Sequence, residues 1–437
     1  MGENDQHKYS REWSIDIDKG NKLEEVLEPG TDCCIYRVPQ HLRKINEEAY
    51  TPSLISIGPL HFGREELMGM ESQKRRYWSE FAKRPNIAQK LEEFETYIKN
   101  QEQTIRAHYS VTSTILSSEY IEIILRDAIF IIELFLRKYH LTEDFLLKPP
   151  LEISITVDLL LLENQLPYFV LNDLYSIAFP TSKGNPSVFF DISVKFFNGM
   201  SIFNHLSISA DQQPRVKHFT DILRRCLLKE VHRSTVQQSN GNVDRLIDDL
   251  PCVTKLNKSG LVFKGIERKC LLDISWGKTK FAKWLPAWFE VNEVKVPSIT
   301  ICDETEFLLR NLMALEMFHY PTQTHICNYA VLMDYLIDSA KDVDLLVDKK
   351  IIVNCVGDNE AIHKMFNRLC SHITISGSCY YKDAEKMKTH YNNKCNHAKA
   401  TLMSVYFNNL WTTTATFAAT FLLLLTVTQT ICSIVQL

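Results

Sequence analysis

The sequence predicts a mainly α (α+β) protein: a large helical globular domain with a small β-sheet in its C-terminal half, plus one C-terminal transmembrane helix. Three observations carry this. Apolar residues recur at helical spacing over most of the chain. Between Leu261 and Val296 the texture changes to short apolar runs broken by Gly and Pro, the pattern of short strands. From Ala400 to Leu437 there is no Asp, Glu, Lys or Arg, and Trp411 to Val435 reads as one apolar helix.

Taken in order, residues 1–32 read as a polar, partly disordered lead-in with a short helix near Gly20–Leu27. Residues 33–400 read as the globular domain. It opens on an extended, loop-rich stretch, because Pro39, Pro52, Gly58, Pro59 and Gly63 break helices. Glu65 to Asn100 reads as helix with Glu and Lys on its exposed faces. Glu119–Lys138 is apolar enough to suggest a membrane span, but it holds Glu122, Arg126, Asp127 and Glu133. Charges at mid-bilayer cost several kcal/mol in total, so a buried core helix is expected instead. Ile155–Phe179 repeats that pattern and is kinked or broken near Pro167. Lys183–Pro186 and Ser234–Asn242 read as polar loops. Leu261–Phe263, Cys270–Ile274 and Trp288–Val291 read as strands. Glu304–Phe318, Ile326–Ala340, Asp358–Ser371 and Tyr380–Val405 return to helix.

The span, residues 410–435, carries Trp411, Phe417, Phe421, Leu424, Val427, Ile431 and Val435. Twenty-five residues reach about 37 Å, enough to cross about 30 Å of hydrocarbon with some tilt. Its eight threonines are tolerable in lipid if each hydroxyl bonds to a carbonyl one turn earlier. Lys394, His397 and Lys399 flank its N-terminal side, which places the domain in the cytosol by the positive-inside rule. A single-pass protein follows, with the plasma membrane as one candidate location. Residues 1–30 show no signal-peptide h-region, and Gln6 stands where a myristoylation signal wants Ser or Thr. Free thiols in a reducing compartment are therefore expected of the twelve cysteines.

Composition narrows the function. The net charge is −4 over 437 residues, and the densest basic cluster, Lys74-Arg75-Arg76, sits among Glu71 and Glu80. A nucleic-acid partner is not expected. No phosphate-binding, dinucleotide-binding, nucleophile-elbow or zinc-protease motif occurs, so no cofactor and no catalytic residue is assigned. Cys370-x-His372, Cys379, His390 and Cys395-x-His397 form a Cys/His-rich stretch whose close pairs lack zinc-ligand spacing. Asp342-x-Asp344 reads as a solvated helix face. Glu163-Asn164-Gln165, after four leucines, is the most unusual polar cluster. It either lines an interaction site or, the preferred reading, satisfies the backbone where the helix breaks. Arg37 and Arg43 either meet an anionic partner or serve packing and salt bridges, the latter preferred.

Several segments resemble the plant DUF247 family, also called UPF0481 proteins. Cys34-Ile35-Tyr36-Arg37-Val38-Pro39, Leu42-Arg43, Ala49-Tyr50-Thr51-Pro52, Ile55 to His61 and Met70 to Tyr77 are similar to its opening block. Asp158–Pro167 resembles its central signature. Pro251–Phe263 and Thr305–Glu316, with Arg310-Asn311-Leu312, resemble later blocks. Tyr406-Phe407-Asn408 before Trp411 resembles the start of its anchor, although Leu410 stands where the family usually has Pro. The resemblance implies a plant protein with a C-terminal membrane anchor and no established activity. Relatives linked to pollen recognition in grasses add a hint that the fold serves recognition. The expectation is a membrane-anchored interaction or signalling protein with an unidentified protein partner. The alternatives are a membrane-tethered enzyme of unrecognised type or a tether that localises a partner. Ala415 and Ala419 would let two such helices pack as a homo-oligomer.

Overall fold

The helix with the largest number of buried residues is the one whose charges argued against a membrane. In the computed structural model, which describes residues 30–435 apart from 112, 181–187, 199–215, 229–244, 268–269, 271, 281–289 and 408, Ser117–Tyr139 (α4) runs through the core. Its apolar residues pack on all sides, so its charges need partners from neighbouring segments. Asp127 meets Lys74 Nζ at 2.6 Å, and Glu133 meets Arg84 at 2.7 Å and Arg137 at 2.9 Å. Arg137 also reaches Asp144 at 2.6 Å.

Around α4 lie Met68–Ala82 (α2), Leu91–Ala107 (α3), Tyr168–Ala178 (α6) and Val188–Phe197 (α7). The single turn Gln40–Arg43 (α1), Pro149–Asp158 (α5), Phe219–Leu228 (α8) and Val253–Lys258 (α9) complete the first half. The expected helix over Glu65–Asn100 is two helices. Pro85 cannot continue α2, Asn86 takes a φ of 64°, and α3 then runs on to Ala107. Within Ile155–Phe179 the break is longer than a kink. Leu159–Pro167 is irregular and buried between α5 and α6.

The small sheet lies in the C-terminal half, as expected. Val262–Ile266 (β1) pairs parallel with Glu290–Pro297 (β3), and Ser275–Lys280 (β2) pairs antiparallel with β3, giving the order β1-β3-β2. The second strand falls after the apolar run Cys270–Ile274, because β2 is polar and only partly covered. Part of that run, and Trp288 of the third expected strand, lie outside the described residues. A second pair, Ile299–Ile301 (β4) with Ile352–Asn354 (β5), is parallel and too short for its sequence to announce.

Thr305–His319 (α10), His325–Leu336 (α11), Ala340–Asp348 (α12) and Asn359–Leu369 (α13) follow. Asp342 corrects the expectation of a solvated acidic pair. It is 1% exposed and accepts hydrogen bonds from Thr254 N and Ser339 Oγ, while Asp344 alone faces solvent. The expected helix Tyr380–Val405 is split into Tyr381–Asn392 (α14) and Lys394–Tyr406 (α15), where Asn393 Oδ1 caps the second by accepting from Cys395 N. One hydrophobic core extends from Cys34 to Met387. The expected helix near Gly20–Leu27 and the loops Lys183–Pro186 and Ser234–Asn242 lie outside the described residues.

Leu410–Val435 (α16) packs only by its first turns on α15. Asn409 Oδ1 caps it by accepting from Thr412 N, so Leu410 begins the helix without a proline.

Candidate functional site

The buried segment Leu159–Pro167 poses a problem that its own residues solve. An irregular chain inside a core leaves amides and carbonyls that no helix or sheet satisfies. Asn164, fully buried, accepts from Ile57 N (2.7 Å) and donates to Ile55 O and Asp158 O (2.9 Å each). Gln165 donates to Leu159 O and Leu161 O and accepts from Phe219 N. Asp158 at the end of α5 accepts from the amides of Ser53, Leu54 and Ile55. Burial pushes its carboxyl above the usual range against the pull of those amides.

Glu163 holds a different set. It accepts from Val38 N at 2.7 Å and pairs with Arg43. His61 Nε2 lies 3.1 Å away, off the line of a hydrogen bond. Burial raises the Glu163 carboxyl, but His61, Arg43 and the Val38 amide together hold it below its ordinary value. Burial likewise disfavours the charged form of His61 and lowers its pKa against the pull of Glu163. Arg43 also donates to Thr51 Oγ1. Arg37 stands apart: its backbone donates to Ser110 Oγ, and the residue is exposed.

The second partner of the network is the loop Ser53–His61. Gly58 takes a φ of +72°, and a Cβ there would meet Gln165 O at 2.8 Å. Its amide donates to Asp127, and Lys74 Nζ reaches both Asp127 and Ser56 O. Asn311 of α10 accepts from Leu162 N and donates to Ala49 O. Of the residues singled out in the sequence, Glu163, Asn164, Gln165 and Arg43 thus meet and Arg37 does not. Reading residue types alone missed Asp158, His61, Lys74, Asp127 and Asn311. Four of them, Asp158, His61, Lys74 and Asn311, lie in the family-like segments, several of which converge on this network, whereas Asp127 lies on α4 outside those segments. Chemically, the network neutralises its charges and ties irregular chain together.

The other candidate is α16. Trp411 is 84% exposed, and Phe417, Phe421, Leu424, Val427, Ile431 and Val435 are exposed around it. Its most apolar stretch has a mean hydropathy of 1.9, and Trp411–Val435 is long and apolar enough to cross a membrane. Thr412 and Thr414 hydroxyls donate three residues back, and Thr413, Thr416, Thr420, Thr426, Thr428 and Thr430 four residues back. Among the described residues, no group of three His, Cys, Asp or Glu could hold a metal ion. His390 and His397 instead bond Ser259 O and Tyr391 O. No disulfide joins the described cysteines.

Fold and site together define a mainly helical protein, stitched at its centre by buried carboxylates and amides, with one exposed apolar helix. The chain belongs to the DUF247 family, plant proteins of unknown function, which it matches over residues 35–425. It is similar to UPF0481 protein At3g47200 of Arabidopsis thaliana, 27% identical over 425 residues that cover 92% of this chain and 87% of that protein. It is also similar to UPF0481 protein At3g02645 of the same plant, 21% identical over 501 residues covering 96% of this chain and 94% of that protein. No solved structure matches it. The family carries no named catalytic activity.

Proposed function

We propose that the protein is a membrane-anchored interaction component, held by α16 with its globular part at the cytosolic surface, where it engages a protein partner. The observation that carries this reading is α16 itself. A soluble protein does not leave eleven large apolar side chains of one 26-residue helix in water. Burying them in lipid removes that penalty, and the threonine hydroxyls stay satisfied. Lys394 and Lys399 on α15 favour the cytosolic side. The buried network supports a scaffolding rather than a catalytic role for Glu163, Asn164 and Gln165, because their partners are protein groups.

The test is sodium carbonate extraction followed by protease treatment of sealed membranes from cells expressing an N-terminally tagged full chain. The reading expects the protein in the carbonate-resistant pellet and the tag digested without detergent. Release into the carbonate supernatant would refute the anchor. Protection of the tag would place the globular part on the opposite side.

A further inference from the structure

Where the small sheet meets α14 and α15, a cavity of about 180 Å³ opens into a wider groove of about 580 Å³. The two share Asn292, His390 and Asn396. Lys278 of β2 and Lys399 of α15 line the inner part. Lys399 Nζ donates to Glu290 O at 2.9 Å, and neither lysine forms an ion pair among the described residues. Glu290 lines the inner part and stands across the strands from Lys280, and Glu385 and Lys386 line the outer part.

Between the lysines the donors are arranged in advance. His390 Nε2 lies 3.2 Å from Ser259 O, an acceptor, so Nε2 carries the proton. Nδ1 then accepts from Asn292 Nδ2 (3.2 Å) and Asn396 Nδ2 (3.1 Å). Asn396 uses its other amide hydrogen on His390 O, whereas Asn292 keeps one for a ligand. Gly260 makes this packing possible: it has a φ of +89°, and a Cβ there would press on Ala400 at 3.2 Å. In the outer part, Trp276 is fixed by its indole N–H on Asp383, with Asn393 nearby.

The groove is also placed. Its wall includes Ala400 and Met403 of α15, and the last carbonyl of that helix, Tyr406 O, accepts from Thr416 of α16. Phe407 and Phe417 rings lie 5.9 Å apart across the same joint. Lys399 is therefore about 10 Å along α15 from the anchor. Leu402, Val405 and Tyr406 of α15, between Lys399 and α16, are all about half exposed.

We propose that this groove binds the phosphorylated headgroup of an anionic phospholipid. Lys278 and Lys399 take the phosphate, and Asn292, Asn393 and Asn396 take headgroup hydroxyls. The proposal rests on α16 being a membrane span. It is tested with the full chain in phosphatidylcholine nanodiscs, with and without phosphatidylinositol 4-phosphate, by following the thermal midpoint. The phosphoinositide should raise the wild-type Tm by about 3–6 °C. The Lys278→Ala/Lys399→Ala variant should lose that rise and keep the wild-type midpoint in phosphatidylcholine alone. A charge-matched control, Lys44→Ala/Lys364→Ala, should keep it. Insertion without a rise, or an equal rise in the groove variant, overturns the groove proposal alone. Exclusion of the chain from phosphatidylcholine discs overturns the anchor and the groove together. A lysine-dependent rise of equal size with soluble inositol 1,4-bisphosphate in detergent would assign the groove to free phosphates and overturn the lipid source.

Discussion

Asn164 shows what a single side chain carries in this molecule. Its amide group serves three backbone groups from two separate segments, all of them buried. Asn164→Ala leaves Ile57 N and Ile55 O without partners and Asp158 O with the Leu161 amide alone, and each orphan costs about 1–3 kcal/mol. The full chain in detergent should therefore lose at least about 2 kcal/mol in chemical denaturation. A loss below 1 kcal/mol would mean that water takes over these bonds. His218 offers a different readout. It is fully buried, its Nε2 faces Cys34 O at 3.0 Å, and its Nδ1 has no partner. Burial lowers its pKa to about 4, with His319 and Lys217 adding to the effect against Asp221. As pH falls below about 6.5 the unfolded chain takes the proton first, so this contribution is intact above 6.5 and lost down to about 4. The loss is about 3 kcal/mol, and His218→Gln should flatten the pH dependence of stability in that window. An unchanged slope would show that other groups set it.

At the scale of elements, helices were readable where apolar spacing was strong and charges were few. Ser117–Tyr139 emerged as a core helix because Asp127 and Glu133 cannot sit in lipid, and the structure supplies Lys74 and Arg84 as their partners. Those partners lie dozens of residues away, so no local pattern could name them. The same holds for Glu163-Asn164-Gln165: its oddity was visible, but its partners Val38, Ile57 and Phe219 come from loops and helices far along the chain. The groove beside α15 was harder still, because it joins residues near 280 to residues near 395, of which only His390 and Lys399 had drawn notice, for other reasons. Strand β2 escaped because a half-covered edge strand needs no apolar run. Backbone contact between elements is equally silent in sequence. Gly265 of β1 donates to Lys349 O, and a Cβ there would sit 1.9 Å from Lys350 O. Gly265→Ala must push β1 away from the turn before β5. We expect a loss of more than about 2 kcal/mol and weakened amide protection over Val262–Ile266 in hydrogen exchange. Unaltered protection there would show that the turn yields freely.

For the whole molecule, the question is whether the core depends on the anchor. Buried apolar contacts run from Cys34 to Met387, and α16 contributes to them only at its first turns, where Thr413 is covered and Phe417 meets Phe407. The stability of the core therefore resides before Leu410, while α16 leaves an apolar surface exposed that the proposed anchoring would bury in lipid. Removing residues 410–437 should separate the two properties. The shortened chain should leave the membrane fraction, stay soluble without detergent, and unfold cooperatively within a few degrees of the full chain in micelles. Phe407 would become exposed, so a small drop is expected, and Phe407→Ser in the shortened chain should improve solubility without moving the midpoint further. If the shortened chain instead aggregates or loses its transition, α16 is a structural part of the fold, and its exposed apolar face then calls for a protein partner rather than a bilayer.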